Sequence, residues 1–301
     1  MSIYKKSFTA KKGEFYDIKH YSDIIQGETI GLKEDGSILF IFKKNVIPQE
    51  HRKLYLNLTR GCAKAKTKNR GAGAGIVDIK KFPPQAVSLC NIRGEELKNK
   101  DVLSVYFKYE NGEIAKRCQS NMVRCGVAGY FDKTADLPCR MVGWSQRNLE
   151  KHKGLIPLCK TISDNFKTMC PSIWEYQRAY GEDNADFLFE GSIFSTLTLN
   201  YDFRTACHKD KGDLVNSLST LTILEDEKDN YDGFYLGLPE YQICFDIRDG
   251  DCLIFDAHEY HCNTEYNVKS DKLPIDTMTN KPFAGRLAIV AYLRNGINLC
   301  S

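Results

Sequence analysis

An α+β fold is expected, with a double-stranded β-helix (jelly roll) core buttressed by N-terminal helices and strands, and two observations carry that expectation. Beyond about Ser192 the chain breaks into short β-rich segments, FSTLTLNYDF, SLSTLTILED, DGFYLGLP, YQICFDIR, DCLIFDA and GRLAIVAYLR, with turn residues between nearly all of them. Short strands with turn signals every ten or so residues fit an antiparallel sandwich or barrel, of which the jelly roll is the economical member. Ahead of them, from about Asn148 to Tyr180, the pattern is helical: Leu155, Ile156, Leu158, Ile162, Phe166 and Met169 recur at spacings that make one apolar face.

The remaining elements follow in chain order. Residues 38–43, within SILFIFK, are apolar enough for a strand, and QEHRKLYLNLTRGC after Pro48 reads as a helix ending at Gly61. The basic, glycine-rich TKNRGAGAG at 67–75 is then a loop whose glycines permit close approach to a ligand or a simple turn. Pro171 opens a further turn or helix. No Gly/Ser- or Pro-rich linker divides the 301 residues, so residues 1–190 are expected to be an α/β support region of the same catalytic unit as the jelly roll at 191–301.

Composition excludes several classes. With 42% hydrophobic and 27% charged residues the chain is an ordinary globular protein, not a disordered or fibrous one. No run approaches the roughly 18 apolar residues of a membrane span, and no apolar stretch follows the basic N-terminus, so an intracellular protein, nuclear or cytoplasmic and not secreted, is expected. The twelve cysteines are scattered without a CxxC pair and read as reduced thiols. A net charge of +3 does not by itself argue for nucleic acid. Basic residues do cluster locally, at Lys64, Lys66, Lys68 and Arg70 and at Lys5, Lys6, Lys11 and Lys12; such runs also serve simply as solvated faces.

The chemistry concentrates in three segments. Of six histidines only His208, in ACHKDKGD, is followed two positions later by a carboxylate. With 39 acidic residues in the chain, about one such pair arises by chance, so the tripeptide alone is weak. On an extended segment, however, residues i and i+2 share a face, so His208 and Asp210 can hold one metal. A facial set of two histidines and one carboxylate needs one more imidazole and leaves positions open for a chelating cosubstrate and O2. GDCLIFDAHEYHCNTE offers His258 and His261; His261 is preferred because it opens a new extended stretch. An anionic cosubstrate needs a cation, and Arg286 at the start of GRLAIVAYLR suits a carboxylate better than Arg294 at its far end.

These segments, NYDFRTACHKDKGD, GDCLIFDAHEYHCNTE and GRLAIVAYLR, resemble the TET/JBP family of nucleic-acid-modifying dioxygenases, and most of all its JBP thymine-hydroxylase branch. NRGAGAG, SNMVRCGVAGYFDK, PCRMVGW and PSIWEYQ extend the resemblance over most of residues 50–301. It implies that His208, Asp210 and His261 bind Fe(II), that Arg286 binds 2-oxoglutarate, and that O2 completes the chemistry. Asp213 stands where the TET branch carries an Asn that reads the target base; an Asp accepts from N3–H of thymine or from the amino group of 5-methylcytosine, which leaves both bases open. Ala288 stands where many relatives place a Ser that touches the cosubstrate, and Tyr201, just ahead of the metal pair, is expected to compensate.

The implied activity is hydroxylation of the 5-methyl group of a pyrimidine base in DNA. The base would be flipped out of the duplex, and Lys64, Lys66, Lys68 and Arg70 would hold phosphates. The same iron site also serves dioxygenases of protein side chains and small metabolites. A catalytically silent DNA-binding module and a zinc hydrolase are the alternatives of other classes.

Overall fold

A computed structural model describes residues 1–88, 102–115, 117–134 and 137–300. Its strands and helices are labelled here in chain order: β1 (Asp23–Ile25), β2 (Thr29–Leu32), β3 (Ile38–Lys43), α1 (Gln49–Ala63), β4 (Val123–Phe131), α2 (Leu149–Gly154), α3 (Ile156–Met169) and α4 (Pro171–Gly181). There follow β5 (Thr196–Tyr201), β6 (Ser219–Glu225), β7 (Leu236–Leu238), β8 (Ile243–Phe245), β9 (Cys252–Phe255), β10 (Cys262–Asn263) and β11 (Arg286–Tyr292). Every β-rich segment read from the sequence contains a strand. Helix α1 runs two residues past Gly61, because nothing at Gly61 interrupts its apolar face of Tyr55, Leu56, Thr59, Cys62 and Ala63.

The strands labelled above make two sheets. In the larger, β2-β3-β9-β6-β11-β5-β4 lie side by side; in the smaller, the order is β10-β7-β8-β1. From β5 onward the chain crosses back and forth between them. The large sheet takes β5, β6, β9 and β11. The small one takes β7, β8 and β10, joined by the residue-208 segment through an antiparallel bridge between His208 and His261. That wiring is a double-stranded β-helix. The N-terminal half extends it: β3 pairs with β9, β4 with β5, and β1 with β8, so strands from both halves share both sheets.

Two apolar layers flank the large sheet. Phe40, Phe42, Leu221, Leu238, Phe245 and Leu253 fill the space between the sheets. On its other face Leu197, Leu199 and Ile289 pack against helical residues including Leu56, Leu158, Ile162 and Phe166. Being covered on both faces explains why β11 reads as a continuous apolar run instead of alternating. The helical region at 149–181 is a buttress, as its amphipathic spacing implied.

One expectation is corrected. The cysteines are not all free: Cys139 and Cys300 form a disulfide, their Cα atoms 5.4 Å apart although 161 residues separate them. Sequence spacing carries no signal for a bridge closed only by the tertiary fold. Among the described residues no helix is long and apolar enough to cross a membrane.

Candidate metal and cosubstrate site

The site is assembled at one end of the sandwich, where the chain leaves β5. The strand stops at Tyr201, and the metal pair lies farther along, in the segment that bridges to the small sheet. The backbones of His208 and His261 exchange N–H···O bonds of 3.1 and 3.0 Å, and the N–H of Asp210 donates to the carbonyl of Ala257 at 2.9 Å. This bridge sets the two imidazoles side by side, with ring centroids 4.3 Å apart.

The Asp210 carboxylate completes the group: its oxygens lie 3.6 Å from His208 Nε2 and 3.7 Å from His261 Nε2. One candidate ligand atom from each residue lies within 4.8 Å of the others, a spacing one cation can bridge. Each histidine also has its other nitrogen engaged. Nδ1 of His208 donates to the carbonyl of Ala206 at 2.8 Å, and Nδ1 of His261 to that of Glu259 at 3.0 Å. Those bonds select the tautomer whose Nε2 lone pair points at the cluster, the usual support for a metal-binding imidazole. Burial, reinforced by His208, lowers the pKa of His261 to about 4, so its ring is neutral near pH 7 and free to ligate. His258 sits in the preceding turn, outside the cluster, with its backbone N–H on the Asp256 carboxylate.

A cavity of about 360 Å³ opens on this cluster and reaches Arg286. Arg286 begins β11 and is 2% exposed. Its backbone N–H is held by Asp202 Oδ1 at 2.8 Å, while the other Asp202 oxygen accepts from Ala284 at 2.7 Å and Gly285 at 3.2 Å. The Phe234 ring lies 4.6 Å from its guanidinium carbon. Nε and Nη2 of Arg286 have no hydrogen-bond partner although both are buried. Burial lowers its pKa, with Glu225 and Asp202 acting the other way. A buried guanidinium with two orphaned donors costs free energy unless an anion meets it. A dianionic cosubstrate that also reaches the metal group fits these two donors in chemistry and in position.

Asp213 lies on the cavity wall, 4% exposed, and accepts from the Ser219 hydroxyl; burial, then the nearby Asp210, raises its pKa well above the carboxylate range. The glycine loop is a neighbour of the cluster. The carbonyl of Gly73 accepts from Ala206 N–H at 2.9 Å, and a Cβ added to Gly73 would meet His208 Nε2 at 3.5 Å. From that loop Arg70 turns into the cavity, its guanidinium 2.6 and 2.8 Å from Cys125 Sγ.

Two expectations do not survive this placement. Tyr201 does not face the cavity. It pairs with Leu287 across the sheet and points to the opposite face, where its hydroxyl donates to Asp226 and its ring meets Phe283. Its neighbour Asn200, opposite Ala288, is the residue that lines the cavity, with a buried Oδ1 that lacks a partner. A shift of one position exchanges the faces of a strand. The signal for Asn200 was there, as the one amide in TLTLNY. The basic cluster also divides: Lys64 packs over Tyr201, 4.4 Å from its ring centroid, Lys66 and Lys68 are exposed outside the cavity, and only Arg70 enters it. Lys12 and Asn263, which sequence reading did not single out for the site, also line the cavity.

A jelly roll that presents a His-x-Asp…His group and a buried, unpaired arginine to one cavity defines the class of iron- and 2-oxoglutarate-dependent oxygenases. The family model Tet_JBP, the oxygenase domain of the 2OGFeDO superfamily, matches residues 126–295, more than half of the chain, and the protein belongs to that family. Fe(II), 2-oxoglutarate and O2 are the cofactor and cosubstrates this membership implies. Thymine dioxygenase JBP1 of Trypanosoma brucei brucei is 37% identical over 147 residues, 48% of this chain and 17% of that one. The bifunctional helicase and thymine dioxygenase JBP2 of Leishmania infantum is 29% identical over 175 residues, 57% of this chain and 14% of that one. The chain thus spans about a sixth of the length of the curated relatives it matches. The solved structure of NgTET1 in complex with 5mC DNA superposes with a TM-score of 0.51 at 13% identity, covering 98% of this chain and 83% of that one, which shows a shared fold.

Proposed function

We propose that the protein hydroxylates the 5-methyl group of a pyrimidine base in DNA, with thymine as the base. His208, Asp210 and His261 hold Fe(II), Arg286 holds the distal carboxylate of 2-oxoglutarate, and Asp213 faces the base. The observation that carries this reading is the pair of orphaned, buried Arg286 nitrogens in the cavity of the three-ligand group. Thymine is favoured over 5-methylcytosine by the relatives, which are thymine dioxygenases by name.

Bound iron with 2-oxoglutarate and O2 supplies an oxidant that hydroxylates an unactivated C–H bond, with release of succinate and CO2. The chain's part is to bind, orient and exclude water. The paired Nδ1–H bonds keep both imidazoles in the ligating tautomer. Asp202, by clamping three consecutive N–H groups, fixes where the Arg286 fork begins. The Gly73 carbonyl, bonded to the Ala206 N–H, ties the loop to the metal segment. Asp213 and Arg294 are joined by a backbone bridge on the same wall, and Arg294 is held by Asp132 at 2.6 Å. An acceptor and a cation side by side there match the N3–H and a carbonyl of a flipped thymine. We further propose that residues 1–190 support the jelly roll at 191–301 within one catalytic unit, a reading supported by the pairing of β3 with β9 and β4 with β5.

The test is nucleoside mass spectrometry of DNAs containing thymine or 5-methylcytosine after incubation with the Fe(II)-loaded protein, 2-oxoglutarate and air. Hydroxymethyluracil is the expected product. Hydroxymethylcytosine alone would transfer the assignment to the other base, and succinate formation without any modified base would overturn DNA as the substrate.

A further inference from the structure

The cavity carries more positive charge than its chemistry consumes. Six cationic side chains line it, Lys12, Arg70, Lys209, Lys211, Arg286 and Arg294, against two carboxylates, Asp210 and Asp213. Bound Fe(II) and dianionic 2-oxoglutarate would cancel each other's charge. Asp132, which pairs with Arg294 from outside the lining, still leaves an excess of three with both lining carboxylates counted as charged, so basic character is concentrated at this opening.

Three of the six cations are already engaged. Arg294 is paired with Asp132, Arg70 lies on Cys125, and Arg286 is buried at the cosubstrate end. The other three, Lys12, Lys209 and Lys211, have no carboxylate within ion-pair distance among the described residues. Lys12 and Lys211 are exposed, and Lys209 is half-buried over the Tyr260 ring, 4.6 Å from its centroid.

Their placement has a backbone cause. His208 and Asp210 face the metal position, so in an extended segment the intervening Lys209 and the following Lys211 project the other way, to the rim. Lys12 reaches the same rim because its segment is laced to the metal segment: Gly13 N–H donates to the Cys207 carbonyl at 2.8 Å, and Cys207 N–H to the Glu14 carbonyl at 2.7 Å. Lys12 and Lys209 stand one and two residues from these bonds, and Lys211 follows Asp210, whose N–H is bonded to the Ala257 carbonyl, so all three sit on pinned backbone.

We propose that Lys12, Lys209 and Lys211 form a phosphate-gripping rim that seats the DNA backbone on either side of the flipped nucleotide, in the role that sequence reading gave to Lys64, Lys66 and Lys68. This rests on the proposed function and adds the surface by which the substrate is held. A nucleotide whose base enters the cavity necessarily brings its own two phosphates to the opening. Ammonium groups without carboxylate partners are suited to them, binding as point charges and releasing counter-ions.

The experiment is fluorescence anisotropy of a labelled thymine-containing DNA duplex against salt concentration, using the full chain loaded anaerobically with Fe(II) and 2-oxoglutarate. Each phosphate contact contributes about 0.9 to the slope of log K against log salt, so Lys12→Ala with Lys211→Ala should lower that slope by about 1.8. Lys153→Ala with Lys160→Ala, on the helical buttress, should leave it unchanged. The single charge reversal Lys12→Glu, remote in sequence from the metal ligands, should weaken binding more than Lys12→Ala does. A slope in the Lys12/Lys211 variant equal to wild type, or no DNA binding by wild type, overturns the rim. Tighter binding of an RNA of the same sequence overturns DNA as its occupant. Loss of slope in a protein that binds DNA but makes no modified base would uphold the rim and sink the proposed function, whereas base hydroxylation with an unchanged slope would do the reverse.

Discussion

Replacing Arg286 by Met isolates the role of its guanidinium, because Met fills much of the volume and brings neither charge nor donors. In the folded protein Nε and Nη2 are buried without partners, so each is available for a charge-assisted bond to a carboxylate. Two such bonds, at about 1.5–3 kcal/mol each, put the loss at about 3–6 kcal/mol, which weakens 2-oxoglutarate binding roughly 10²- to 10⁴-fold. The apo protein should respond in the opposite sense. Removing a buried, uncompensated charge relieves a cost, so the variant's Tm without cosubstrate should equal or exceed that of wild type. At 2-oxoglutarate about one hundred times the wild-type Kd, wild type gains about 2.7 kcal/mol, and a variant weakened one hundredfold only about 0.4 kcal/mol. Calorimetric titration of the anaerobic Fe(II) protein, with thermal melts on the same samples, measures both. A Kd within threefold of wild type would refute the reasoning, and an apo variant much less stable than wild type would show that Arg286 is held by the fold itself.

Asp210→Ala should abolish stoichiometric Fe(II) binding, since Asp210 supplies the carboxylate between the two Nε2 atoms; metal analysis after desalting checks this, and full iron content would remove Asp210 from the site. Asp213→Asn, which replaces a titratable carboxyl by an amide with a fixed donor and acceptor, should change the ratio of thymine to 5-methylcytosine turnover; an unchanged ratio would move base reading elsewhere. His152, buried on α2 beside Tyr130, has its pKa lowered by burial. The unfolded chain therefore takes up the proton first, so this group's contribution is fully present above about pH 6.5 and lost as pH falls below it. His152→Phe should flatten that part of the Tm-against-pH curve, and an identical curve would reject the assignment.

Much of the site was legible from local pattern alone. His208 and Asp210 had to share a face because extended backbone repeats every two residues, and His261 followed from its place at the start of an extended stretch. Arg286 was legible as the one cation opening the apolar run of the last strand. The helical buttress and the six β-rich segments were legible for the same reason, since periodicity is a property of neighbours in the chain.

What the sequence could not determine is what lies on the other side of each residue. The choice between Tyr201 and Asn200 is a matter of strand phase, and phase is decided by which face of β5 meets the cavity and which meets Phe283 and Asp226. The basic run at 64–70 looks continuous in sequence, but the turn out of α1 sends Lys64 onto an aromatic ring and only Arg70 inward. Lys12 reaches the cavity rim through backbone bonds to Cys207, and Cys139 meets Cys300 across 161 residues. The sequence by itself determined which chemical groups are present and how each element is patterned, because those depend on short-range spacing. The tertiary structure decided which of them converge, because convergence depends on sheet order and on how both halves of the chain pair into shared sheets.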